Sequence, residues 1–458
     1  MTGMTVRHVA VIDIGKTNAK LALVDLEAGR ELAALRQPNR ARTGGLFPHH
    51  EVGAIWDFIL HGLRQFASGE GVDAISVTTH GATAALIDGG GELALPVLDY
   101  EFDGPDDMRA AYNKVRPDFS ETGSPALPIG LNLGAQLFWL SRRFPHEFAQ
   151  SSAILAWPQY WTWRLTGVLA SEVTSLGCHT DLWNPHEGDF SSLVDRMGWR
   201  GQFPPLRRAG DILGPILPEI ADRTGLDPAT PVVCGIHDSN ASLLPHLLGR
   251  KPPFAVVSTG TWVVVMAVGG SKPELDPARD TLINVDAFGN AVPSARFMGG
   301  REFEMVMEIQ PRQSDPSDLS AVLKAGNMLM PSVAEGSGPF PDARSRWIGT
   351  EPTGGKRHAA VSLYLALMTA TCLDLVGAQG DIVVEGPFVS NEPYQAMLEA
   401  ATGRHVVASG GSTGTSIGAA MLARLPEADI ALGIADNPRA DLLLVRYARE
   451  WKEAAQIA

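Results

Sequence analysis

Twice in this chain an apolar run enters a glycine turn and resumes as a second apolar run. Ala10-Val11-Ile12-Asp13-Ile14-Gly15-Lys16 aligns with Ala255-Val256-Val257-Ser258-Thr259-Gly260-Thr261, and residues 20–24 and 263–268 continue the two copies. A lone strand–turn–strand cannot bury its own faces and needs further strands and helices around it. Two copies therefore favour a duplicated α/β half over one large core. On one short match, two unrelated glycine hairpins remain an open alternative. The length of 458 residues also suggests about two domains.

The rest of the pattern reads as α/β. Residues 74–78 and 84–87 are strands, Asp88-Gly89-Gly90-Gly91 is a tight turn, and 92–95 resumes a strand. Helices are expected over 135–143 and over 159–165, the latter stopped by Gly167. A short strand at 231–235 leads into Ile236-His237-Asp238-Ser239-Asn240. A long helix is expected at 362–378, a strand at 381–385, and a helix from Glu392 to Gly403, with Asn391 as N-cap and Pro393 in its first turn. Hairpins mixed with helices argue against a pure βαβ series.

Composition narrows the function. The chain is 45% hydrophobic and 19% charged, an ordinary globular balance. Lys plus Arg number 37 against 51 Asp plus Glu, a formal charge of −14. That excludes a general nucleic-acid or anionic-membrane binder, though backbone N–H groups can still hold a phosphate locally. Cys178, Cys234 and Cys372 have no metal-ligand spacing, and their odd number speaks for a reducing compartment. The run 9–12 stops at Asp13, unlike a signal peptide, and the apolar stretch 254–268 is too short and polar to span a bilayer. The expectation is a soluble cytoplasmic protein.

Four segments carry chemistry. In Asp13-Ile14-Gly15-Lys16-Thr17-Asn18, Gly15 permits a positive φ and lets a phosphate approach the backbone, while Lys16, Thr17 and Asn18 offer donors and Asp13 a carboxylate for hydrated Mg²⁺. It lacks the spacing of a Walker A loop. Ser258-Thr259-Gly260-Thr261 is a second hydroxyl-rich turn, whose plain alternative is that its hydroxyls satisfy local backbone. Asp238, at a strand end before a helix, can take a proton from a hydroxyl attacking phosphorus, or simply cap the helix. His237 beside it reads as a core or surface histidine. Glu385-Gly386-Pro387-Phe388-Val389-Ser390-Asn391 can form a loop under an adenosine.

In that order these segments resemble the FGGY carbohydrate kinases of the actin-like ATPase superfamily, over nearly the whole chain, with Gly418-Ala419-Ala420 similar to the family's late GAA stretch. The resemblance implies an α/β fold of two actin-like, ribonuclease H-like domains with a cleft between them: an N-terminal sugar-binding and catalytic domain at 1–247 and a C-terminal nucleotide-binding domain at 248–458. It implies ATP-dependent phosphorylation of a sugar hydroxyl. Asp238 would be the general base and Asp13 would place Mg²⁺. Gly15, Lys16, Thr17, Asn18, Ser258, Thr259, Gly260 and Thr261 would line the phosphates, and Gly386 and Asn391 would border the adenosine. Sugar contacts would come from the first domain, at His80-Gly81-Ala82, Asp99, Tyr100 and Asp238. Three features depart from the family pattern. Glu385 stands where paired glycines usually open the adenosine segment, no acidic residue is located between Gly410-Gly411 and the GAA stretch, and His80-Gly81 replaces the Arg-Glu pair of glycerol kinases. The last of these speaks against glycerol, and the look of the first motif is nearer to the fuculose and rhamnulose branch, with a ketose such as fuculose, rhamnulose or xylulose, or a related polyol, as the implied substrate. An actin-like regulator or chaperone is the first rival, against which only about 40 residues follow the GAA stretch, too few for a further core. A catalytically silent sugar sensor is the second, against which both Asp13 and Asp238 are retained. The implied partners are a sugar and ATP, and a homodimer is left open.

Overall fold

The computed structural model describes residues 6–307, 312–409, 414–425 and 441–456; Gly410 and Gly411 lie outside them. The chain packs as two compact units. Among the described residues, the first comprises 6–249, 283–291 and 414–425, and the second 250–282, 292–307, 312–409 and 441–456.

The first unit is built on a seven-stranded sheet. Its order is Arg30–Pro38, Asn18–Asp25, His8–Ile14, Ala74–Thr79, Pro231–Val233, Ile212–Pro215, and Ile236–His237 also pairs with Ala74–Thr79. His8–Ile14 is antiparallel to Asn18–Asp25 and parallel to Ala74–Thr79. Val9, Ala10, Val11 and Ile12 are all fully buried, as a strand must be when both faces are covered. Ala10 and Ile12 pack with Ile55, Ile59 and Leu63 of the helix Val52–Ala67, whose apolar residues fall at helical spacing. Val9 and Val11 pack on the other face with Ala241 and Leu244 of the helix Asp238–Gly249 and with Ala419 and Ala420. Burying one such side chain stabilises by about 1.5–3 kcal/mol.

The second unit repeats the plan. A six-stranded sheet, whose edge strand Thr281–Val285 runs into the segment 283–291 counted with the first unit, runs Thr281–Val285, Ala291–Phe297, Val263–Val268, Phe254–Thr259, Asp381–Glu385, Val406–Ala408. Phe254–Thr259 is again antiparallel to the strand that follows it and parallel to a distant one, Asp381–Glu385. The helix Gly354–Leu375 is apolar all round and lies inside the core cluster of this unit. Among the described residues it is the one helix long and apolar enough to cross a membrane, and 83% of its apolar window is buried within the protein.

Two local expectations change. Residues 92–95 form no strand beyond an isolated Ile87–Leu93 bridge. Ala84–Asp88 pairs along its length with Ser151–Ala156 instead, and Pro96, lacking an N–H, limits any ladder beyond. The long helix starts at Gly354 rather than 362, because its polar first turn hides the start from the apolar pattern.

Candidate active site

His8–Ile14, Ala74–Thr79 and Ile236–His237 run parallel, so their carboxyl ends deliver side chains to one edge of the first sheet. Open α/β sheets place ligands at that edge. Asp13 leaves the first strand opposite Lys20 and beside Thr78. Burial, then the charge of Asp238, pushes its carboxyl up to about 7, against the pull of Lys20. The turn after it is closed by the Gly15 N–H donating to the Asn18 carbonyl at 2.9 Å. Asn39 fastens it, its side-chain amide donating to the Gly15 carbonyl at 2.7 Å and its backbone N–H to that of Thr17 at 2.8 Å. Gly15 does not use the positive φ that glycine permits. Thr17 and Asn18 are exposed, with the Asn18 amide donating to Thr17 Oγ1 at 3.1 Å.

Lys16 is engaged elsewhere than the turn suggests. Its ammonium pairs with Asp99, lies 3.2 Å from Glu101 Oε2, and sits 5.1 Å from the centre of the Tyr100 ring. Asp99 is buried; that burial raises its carboxyl, but the Lys16 and Glu101 hydrogen bonds outweigh it and leave it lowered. His80 follows the central strand and is also buried, its backbone N–H donating to the Ile14 carbonyl at 3.0 Å and its Nδ1 lying 2.9 Å from the Gly81 carbonyl. Its ring meets Tyr100 edge-on at 5.3 Å and His50 at 5.4 Å. Burial lowers both histidines, His50 to about 3, so both are neutral at pH 7. His80 Nε2, both ring nitrogens of His50, Thr78 Oγ1 and Thr83 Oγ1 are buried with no hydrogen-bond partner. A buried unpaired polar atom costs about 1–3 kcal/mol, so a cluster of them marks a place where a polar ligand is wanted.

Asp238 opens the helix Asp238–Gly249 and is one-third exposed. Its Oδ1 accepts from the Ser239 backbone N–H at 2.6 Å. Its charge acts on Asp13, His80 and Tyr100, so these four groups lie within electrostatic reach of one another. Ala82, next to Gly81, takes a positive φ of 52°.

The second unit holds a pocket of about 530 Å³. Gly260 and Thr261 line it together with Phe303, His358, Phe388 and Asn391. Thr259 does not point a free hydroxyl into it: Oγ1 donates to the Glu385 carbonyl and accepts from the Phe388 N–H at 3.1 Å. Gly386 makes this staple feasible, with φ of 82° and a position where a Cβ would fall 2.0 Å from the Thr259 carbonyl oxygen. Ser258 lies beside Glu385 in the ladder. Asn391 caps the helix Glu392–Thr402 through the Tyr394 N–H at 3.1 Å and donates to Ser362 at 2.9 Å.

The sequence candidates thus gather in two sets. Asp13, Lys16, His80, Gly81, Asp99, Tyr100 and Asp238 share one edge of the first sheet, while Ser258 to Thr261, Gly386 and Asn391 belong to the second unit. Sequence reasoning missed His50 and Glu101 in the first set and Phe303 and His358 in the second. None sits in a motif, although the His49-His50 pair was a visible signal.

Comparison with known proteins follows the same division. Residues 8–245 match the profile of the FGGY family of carbohydrate kinases, N-terminal domain, and residues 251–431 that of carbohydrate kinase FGGY, C-terminal domain. L-fuculokinase of Salmonella typhi is 27% identical over 271 residues, 57% of each chain. The L-xylulose/3-keto-L-gulonate kinase of Escherichia coli K12 is 26% identical over 274 residues, 56% of this chain and 53% of that one. The matched part thus spans little more than half the length of these curated relatives. The crystal structure of a carbohydrate kinase from Novosphingobium aromaticivorans superposes with a TM-score of 0.90 at 39% identity, covering 97% of this chain and 100% of that one.

Proposed function

This chain belongs to the FGGY family of carbohydrate kinases, and from that premise we propose that it transfers the γ-phosphoryl group of ATP to a hydroxyl of an uncharged sugar. The substrate class is a ketose of the fuculose, rhamnulose or xylulose type or a related polyol. The observation that carries this reading is the buried edge of the first sheet, where Asp238 stands beside unpartnered polar groups with Asp13 next to it.

Asp238 acts as general base. Its carboxylate takes the proton of the sugar hydroxyl as the oxygen attacks phosphorus, which contributes about 10²–10⁴-fold. His80, Asp99 and Tyr100 orient the sugar, with Gly81 leaving room beside His237; a fixed hydroxyl is what makes the attack effectively unimolecular. Lys16 moves in this reading from the phosphate set to the sugar set, because Asp99 and Glu101 hold it there. Its charge is already shared by two carboxylates, and His50 and His80 are neutral. An extra carboxylate on the substrate would find no partner among these groups, which favours neutral sugars over sugar acids.

Gly15, Thr17 and Asn18 and the turn Ser258 to Thr261 serve the phosphates, and the adenosine occupies the pocket beside Gly386, Phe388 and Asn391. Asp13 and Asp238 repel one another, the arrangement a divalent cation offsets. This fits Mg²⁺ arriving with the nucleotide and held through its waters by Asp13. When bound, the ion supplies charge neutralisation on the phosphate oxygens.

Sugar-dependent ADP release by the full chain, over a panel of ketoses, aldoses, polyols and sugar acids, tests the proposal. The expected result is release that depends on a neutral sugar and yields its phosphate. ADP release indifferent to every sugar overturns it.

A further inference from the structure

Resting on the reading of Asp238 as base, we infer that His237 is a positioning residue, donating from Nε2 to Asp238 Oδ1 so that the second carboxylate oxygen is presented to the sugar hydroxyl. The two atoms are 3.2 Å apart. Oδ1 also accepts the Ser239 N–H at 2.6 Å and the Ser239 hydroxyl at 3.3 Å, so donors gather on one oxygen and leave the other for the substrate. A misoriented base loses rate even when its chemistry is intact.

The ring is itself held on several sides. His237 is 5% exposed. Its backbone N–H donates to Thr174 Oγ1 at 3.0 Å, and that hydroxyl donates in turn to the fully buried Glu172 at 2.5 Å. The Asn240 amide nitrogen lies 3.4 Å from Nδ1, and Nε2 is the nitrogen that meets Asp238. Gly81 closes the remaining side: a Cβ there would lie 2.9 Å from His237 Nε2. The segment His80-Gly81 is thereby in direct contact with the residue that aims the base. Burial pushes the His237 ring down, but Cys178, Asp238 and Glu172 outweigh it and raise it to about 9. An Nε2–H is present in the neutral tautomer and in the cation alike, so the positioning contact survives either state.

The experiment compares the full chain with His237→Leu and His237→Gln on the best sugar of the panel, with thermal melting and ATP titration on each. Gln retains a side-chain N–H donor near the position of Nε2; Leu does not. Loss of orientation predicts a kcat lower by about 10–100-fold in His237→Leu, KM values for sugar and ATP within about 3-fold of the parent, and recovery of most of the kcat in His237→Gln. A His237→Leu variant that keeps the parent's kcat overturns the inference, as do Leu and Gln variants equally impaired. Nitrogen-15 NMR of the imidazoles decides the matter without turnover. The His237 signal, identified by its loss in His237→Gln, should show a protonated Nε2 whose shift moves in Asp238→Asn. An unprotonated Nε2, or one indifferent to Asp238→Asn, overturns the inference. A parent inactive on every sugar sinks the kinase reading instead, and the NMR result still stands or falls for His237.

Discussion

In the first unit Asp13 is the penultimate residue of the strand His8–Ile14; in the second, Ser258 is the penultimate residue of Phe254–Thr259. The frames are alike: each strand has its hairpin partner antiparallel on one side and a distant strand parallel on the other. The neighbours differ. Asp13 stands opposite Lys20 and beside Thr78, Ser258 opposite Val264 and beside Glu385. Past Thr78 the chain delivers His80 and, from the next parallel strand, Asp238. Past Glu385 it turns at Gly386 over Thr259 and opens a pocket. The same backbone thus supports an edge of titratable groups in one half and, in the other, a pocket walled by Phe303, Phe388 and His358 with Glu304 and Glu392 on its lining. What a duplicated fold does is set by the residues just beyond its strand ends.

That contrast can be broken most sharply at Asp238. Asp238→Asn keeps the shape and removes the base, and should lower kcat by about 10²–10⁴-fold while ATP binding changes little. Near-normal turnover in the variant would remove the chemistry from the first unit. His80→Ala and Asp99→Ala should each cost about 1–3 kcal/mol of sugar recognition, a 5–150-fold fall in kcat/KM for sugar with ATP KM unchanged. The mirror experiment is His358→Ala in the second unit, which lines the pocket with Phe303. A several-fold rise in ATP KM, about 3–10-fold, is expected with sugar KM unchanged; a change in sugar KM instead would blur the division. The smallest effect belongs to Glu101→Gln, whose carboxylate is 62% exposed. It should shift stability by no more than about 0.5 kcal/mol, as for other exposed ion pairs, and leave sugar KM within about 2-fold, which thermal melting and kinetics can check.

Both hairpins were legible because strands buried on two faces read as unbroken apolar runs, and the glycine turns mark their ends. Asp238 was legible from its place between an apolar strand and a helix. The partner of Lys16 was not: Asp99 lies 83 residues away, and a turn full of donors pointed to phosphate instead. Residues 92–95 look like a strand locally, but Ala84–Asp88 had a longer ladder available at Ser151–Ala156, and local pattern cannot rank distant partners. His237 escaped for a similar reason. Alternation along a strand puts neighbours on opposite faces, and the contact with Asp238 arises only because the chain turns from strand to helix between them. The return of residues 414–425 to the first unit likewise has no local sign.

Ligand-induced slowing of amide hydrogen exchange tests the division of labour most directly. A non-hydrolysable ATP analogue alone should slow exchange most around Gly260 and across 386–393. The sugar alone should slow it most around His80 and across 99–101. An analogue that leaves 386–393 unchanged, or a sugar whose main protection falls there, would contradict the account.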